Sequence, residues 1–200
     1  MLRFVLFMAA IVAVILTTGC PGLDDIRKVH PRIEVVALDP NSSTIKIVVN
    51  RKDATLEKFF FYGFDDHGGQ RYFDWKYSPG GVVSNKYQTT FTLIIMGASN
   101  TAIEYGATYH AVIGVSAPVF DYSGDSDNNG ATEPGYAGGE YTLITPPAPT
   151  RGARPGDLVV KEALTMSQAE ISAKTLELGS TFKAQFPNWE RPVPPVAIQQ

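Results

Sequence analysis

Residues 103–116 read IEYGATYHAVIGVS. A turn glycine, Gly106, leads into a tyrosine, Tyr109, and then a run of alternating apolar residues. Alternation at period two is the mark of a half-buried β-strand. Working outward, the same signal recurs on both sides. Segment 32–38 is RIEVVAL, and 44–50 is TIKIVVN, with Ile45, Ile47 and Val49 on one face. Segments 58–64 (KFFFYGF), 71–77 (RYFDWKY), 87–96 (YQTTFTLIIM) and 140–145 (EYTLIT) complete the series. Turn residues separate them: Pro40 to Ser43, the Asp65-Asp66-His67-Gly68-Gly69 loop, and Ser78 to Gly81. Seven strands with no intervening helix predict a mainly β fold, a seven-stranded antiparallel sandwich over residues 32–147. Phe60, Tyr62, Trp75, Phe91, Leu93, Val112 and Val115 are the expected core.

The 103–116 stretch resembles the start of strand F in fibronectin type III domains, a Leu-x-Pro-Gly-Thr-x-Tyr pattern followed by alternating apolar residues. Ile103 takes the Leu place, Gly106 the glycine and Tyr109 the tyrosine. Tyr105 stands for Pro, and Ala107 for Thr. The resemblance implies a fibronectin III-like, or immunoglobulin-like, sandwich. It also implies a corner tyrosine whose hydroxyl bonds the backbone upstream.

The chain around this domain has two further parts. Residues 1–20 are MLRFVLFMAAIVAVILTTGC, with an uncharged run of 13 residues from Phe4 to Leu16. That is short for a membrane span and right for a signal-peptide core. Gly19-Cys20 resembles the end of a bacterial lipobox, although Thr17 stands where Leu is usual. Cys20 is the one cysteine in the chain. The expectation is a lipoprotein signal over 1–19 and acylation of Cys20. A tether over 20–31 would hold the domain to a membrane, the outer one in a Gram-negative cell. On the other side, 148–165 carries Pro149 and Pro155 and reads as a linker. Residues 166–187 switch to helical period, with Ile171, Leu178, Phe182 and Phe186 on one stripe. Ser167 and Glu170 form a capping box, and Pro187 stops the helix. Residues 188–200 hold three prolines and read as an extended tail.

Segment 121–140 is DYSGDSDNNGATEPGYAGGE, with five carboxylates and no Lys or Arg. Asp125, Asp127 and Asn129 with Gly130 match the first half of a calcium loop, while Tyr136 stands where the bidentate Glu belongs. These residues are a weak calcium candidate, and no other cofactor is expected. Asp65-Asp66-His67 reads as a hairpin turn. The three histidines are scattered, and no catalytic motif is recognisable, so no enzyme activity is expected. A net charge of −3 argues against a dedicated nucleic-acid binder, which would show a basic patch. The aromatic cluster Phe59 to Phe64 and Tyr72 to Tyr77 exceeds one sheet face, and the C-terminal helix is expected to cover the surplus. The reading that follows is an exported, membrane-anchored structural or interaction module with a protein or glycan partner. Its rival is an envelope hydrolase or a carbohydrate-binding accessory module.

Overall fold

The computed structural model describes residues 28–97, 103–121, 134–147 and 159–199. The fold is mainly β, with one helix near the C-terminus. The principal strands are β2 (Ile33–Asp39), β3 (Thr44–Val49), β4 (Thr55–Phe64), β5 (Gln70–Ser84), β6 (Thr89–Gly97), β7 (Thr108–Pro118), β9 (Pro134–Ile144) and β10 (Val159–Thr165). Helix α1 spans Gln168–Gln185. Short β1 (Lys28–Val29) pairs with β8 (Phe120–Asp121), and β11 (Ile198–Gln199) adds in parallel to β5.

Hydrogen bonding joins the principal strands in the order β10-β9-β7-β4-β5-β6-β3-β2. The result is one curled antiparallel sheet, a half-barrel, hydrogen-bonded without a break through all eight principal strands. The cause lies in β5. It pairs with β4 through Gln70–Phe73 and with β6 from Phe73 to Ser84. One long strand therefore serves both halves. The expected turn at Ser78 to Gly81 is a bulge inside it, between Tyr77 and Val82. The expected linker also ends early, because its last seven residues are β10, paired with β9 from Val159↔Ile144 to Thr165↔Gly139.

Strand alternation sorts the side chains onto two faces. The concave face holds Leu38, Ile45, Ile47, Phe59, Phe61, Phe73, Trp75, Phe91, Leu93, Ile113, Val115 and Leu143, all buried in one cluster. The convex face holds a smaller cluster in which Tyr62, Tyr72 and Val112 meet Ile171, Leu178 and Phe182 of α1. Three expected core residues thus sit elsewhere: Tyr62 and Val112 are buried beneath the helix, and Phe60 is partly buried there. Phe182 packs edge-on against Phe60 and Tyr72, with centroids 5.5 and 5.9 Å apart. The helix covers the surplus aromatic face, as its stripe requires.

The ends of α1 follow the sequence. The Ser167 Oγ accepts from the Glu170 amide at 3.3 Å, and the Glu170 carboxylate accepts from the Ser167 amide at 2.7 Å. The reciprocal bonds satisfy two otherwise orphaned donors. Glycines set the seat. A Cβ on Gly138 would lie 2.8 Å from the Ile113 carbonyl and 2.9 Å from Ile171. On Gly114 it would collide with the Tyr136 hydroxyl and approach Ile171 at 3.2 Å. Bare backbone at these neighbouring positions lets the helix approach.

The Asp65–Gly69 segment is the expected turn. Asp65 Oδ1 accepts from the amides of His67 and Gly69 at 2.9 and 2.7 Å, and Gly68 has a positive φ of 78°. Tyr109 lies in the concave core, and its hydroxyl accepts a hydrogen bond from the Glu104 amide at 2.9 Å.

Candidate functional site

The long β5 leaves a consequence on β4. Their ladder covers only Phe61–Phe64 of β4. Toward β5, residues Thr55 to Phe60 have no strand partner among the described residues, while β7 pairs their other side. A register shift between Leu56 and Lys58 makes Glu57 a bulge residue. Bulges re-aim side chains, and they are frequent beside functional sites.

A groove of about 340 Å³ runs along this edge. Glu57, Lys58, Phe59 and Phe60 of β4 form one wall. Ser172, Thr175 and Leu176 of α1 form the second, and Trp75, Trp189 and Arg191 complete it. The Glu57 carboxylate accepts from the Ser116 hydroxyl at 2.7 Å. Trp75 is buried among Phe59, Tyr77 and Trp189, with centroids 5.2, 5.5 and 6.2 Å away. Its indole N–H has no acceptor among the described residues. The Tyr136 hydroxyl is buried without a partner as well. Burial, and then the Glu57 carboxylate, push its pKa up to about 12, so it stays a neutral phenol.

The C-terminal tail crosses this opening. The indole N–H of Trp189 donates to Asp74 Oδ1 at 2.6 Å. The Arg191 guanidinium donates to the Leu56 carbonyl at 2.5 Å, on the unpaired edge of β4. Ile198 and Gln199 then pair with Val83 and Ser84. Between these fixed points Val193 and Val196 are 86% and 92% exposed. Extended prolines without amide donors explain why no ladder forms there.

A second polar cluster lies on the convex face beside α1. The Tyr62 hydroxyl donates to Glu140 at 2.5 Å, and Lys174 stands 3.9 Å from the same carboxylate. Burial, then the bond to Glu140, hold the Tyr62 phenol well above its ordinary pKa. His110 stacks on Tyr62 at 5.1 Å, with Thr142 Oγ1 3.5 Å from its Nδ1. Burial lowers the His110 pKa, Lys174 adds to that, and Glu140 opposes it. This arrangement ties β4, β7 and β9 to the helix.

Of the residues singled out in the sequence, Cys20 and the 1–19 signal lie outside the described residues. So do Asp125, Asp127 and Asn129; the final part of that acidic segment, from Pro134, is β9. Glu57, Asp74, Trp189 and Arg191 escaped the sequence reading. One signal was available: Trp189 is one of two tryptophans in the chain and sits in a tail of prolines and polar residues. Compared with known protein families, curated proteins and solved structures, the chain matches none.

Proposed function

We propose that this chain is an exported, lipid-anchored interaction module of a cell envelope, which docks a protein partner at the groove beside β4. One observation carries the reading. A stretch of strand edge, Thr55 to Phe60, faces an aromatic-walled groove with charged groups at hand, instead of a neighbouring strand. Edges of this kind recruit extended segments of other proteins. Among the described lining residues Glu57 is the one carboxylate, and Asp74 beside it is engaged by the Trp189 indole, an arrangement that favours binding over the paired-carboxylate chemistry of a hydrolase. The apolar run and lone Cys20 support the anchor, and the membrane is then the second partner. The Asp125, Asp127 and Asn129 loop would add at most weak calcium binding.

The same reading treats the domain as fibronectin III-like. β2, β3 and β6 would be one half, β5, β4, β7 and β9 the other, with β5 long enough to serve both. The Tyr109 bond to the Glu104 amide supports it.

The test is site-specific cross-linking in native envelopes. A photoreactive residue replacing Lys58 should give one discrete protein adduct, abolished when Leu176→Asp is added on the facing wall. No adduct, or an adduct indifferent to Leu176→Asp, overturns the groove as the docking site. Cys20→Ser should leave the precursor uncleaved and unlabelled by palmitate. Unchanged labelling overturns the anchor.

A further inference from the structure

We infer that the unpaired edge of β4 is a strand-addition site held closed by the chain's own C-terminal tail, and that its partner is an extended segment bearing an aromatic N–H donor and, two residues later, a basic side chain. The inference rests on the interaction-module reading and names the partner's chemistry and its control.

The resident tail shows what the opening accepts. Trp189 and Arg191 are two residues apart, so an extended chain presents both on one side. One reaches the Asp74 carboxylate and the other the Leu56 carbonyl, at 2.6 and 2.5 Å. The described lining supplies the Glu57 carboxylate and the Lys58 ammonium, and the Asp74 carboxylate receives the Trp189 indole. The tail seats the Arg191 guanidinium in the lining that Glu57 shares, so a cationic side chain is accepted there. The tail is also a poor strand. Pro192, Pro194 and Pro195 carry no amide hydrogen, so they donate nothing to an edge. The exposure of Val193 and Val196 shows how little the middle of the tail buries. A segment with the same two side chains and ordinary amides in place of the prolines would add ladder bonds along Thr55 to Phe60. It would displace the tail, which otherwise keeps the edge from pairing with the wrong chain.

The experiment uses the full chain. Trp189→Ala/Arg191→Ala removes both side-chain anchors. The probes are a labelled peptide of residues 187–199 and the same peptide with Pro192, Pro194 and Pro195 changed to Thr. The opened variant should bind the first peptide, and bind the Thr peptide about tenfold more tightly. The wild-type chain should bind either about tenfold more weakly than the variant does. Adding Asp74→Ala to the variant should cost a further loss of similar size. A variant with a wild-type circular dichroism spectrum that binds neither peptide overturns the proposal. So does a wild-type dimer that dissociates in the variant, because the edge then belongs to a second copy. If the variant fails to fold, hydrogen exchange on the wild-type chain decides. Tail amides should exchange through openings that leave the sheet protected, and exchange only with global unfolding overturns the strap. Peptide binding without any Lys58 adduct in envelopes would sink the module reading and leave this one standing. An adduct formed while the tail keeps its protection would do the reverse.

Discussion

The two faces of the curled sheet are built on different rules. The concave face is filled by apolar side chains from β2, β3, β4, β5, β6, β7 and β9, and it needs nothing beyond strand alternation to define it. The convex face is aromatic and partly ionic. Its burial depends on a helix that comes from outside the sheet and rests on two glycines. The first face decides whether the domain folds. The second decides where α1 lies, and so where the groove and the tail lie. A residue's value therefore depends on its side of the sheet more than on its size, and substitutions on opposite faces should fail in different ways.

The largest effect should come from the concave face. Phe61 is fully buried against Phe73 and Tyr109, with centroids 5.4 and 5.3 Å away. Phe61→Ala should cost about 3–5 kcal/mol, and denaturant unfolding should stay a single transition. Retention of the wild-type midpoint would break the claim that this face holds the domain. Next comes the helix seat. Gly138→Ala forces a methyl against a carbonyl and Ile171, at about 1–3 kcal/mol. Exchange should quicken in α1 first and leave β3 and β6 protected. Uniform loss of protection would mean the two faces are one cooperative unit. Tyr109→Phe should cost about 1 kcal/mol, low in the range for an amide left unpaired, because exposed Glu104 lets water reach its amide. An unchanged midpoint would remove the corner bond from the reckoning. The smallest effect should belong to the convex polar cluster. Folding lowers the His110 pKa, so the neutral ring is the one the fold prefers. Its contribution is complete above the ordinary value near 6.5 and fades as pH falls through the lower folded value. Thermal melts of His110→Gln should therefore fall less than wild type between about pH 7 and 5. Parallel curves for the two proteins would show that His110 senses nothing.

Where structure follows from local pattern, the sequence was legible. The alternation of Ile45, Ile47 and Val49, the Ser167–Glu170 box and the Asp65 turn all mark what the chain does. Three misreadings have one cause, glycine and proline taken as loop. Ser78 to Gly81 lies within β5, and Pro134 to Gly139 within β9, where the glycines make room for a helix that no short window of sequence contains. β10 follows a proline-rich stretch and begins with two valines, so neither its start nor its alternation stands out. The groove was invisible for a different reason. Its defining contacts, Trp189 with Asp74 and Arg191 with Leu56, join residues more than a hundred positions apart. No local pattern encodes such a meeting.

The pairing order of the sheet also sets a timetable. Neighbouring hairpins β2–β3, β4–β5 and β5–β6 can close as soon as their strands exist. The β4–β7 ladder waits until β7 has followed β5 and β6, and Arg191, which reaches the Leu56 carbonyl on the β4 edge, follows 135 positions after it. Non-local contacts of this kind slow folding. During that interval a nascent molecule carries a bare strand edge flanked by aromatic rings, the surface through which partly folded chains find one another. Truncation just before Trp189 would make that interval permanent, so the yield of soluble protein should depend on the final dozen residues far more than their scant burial suggests.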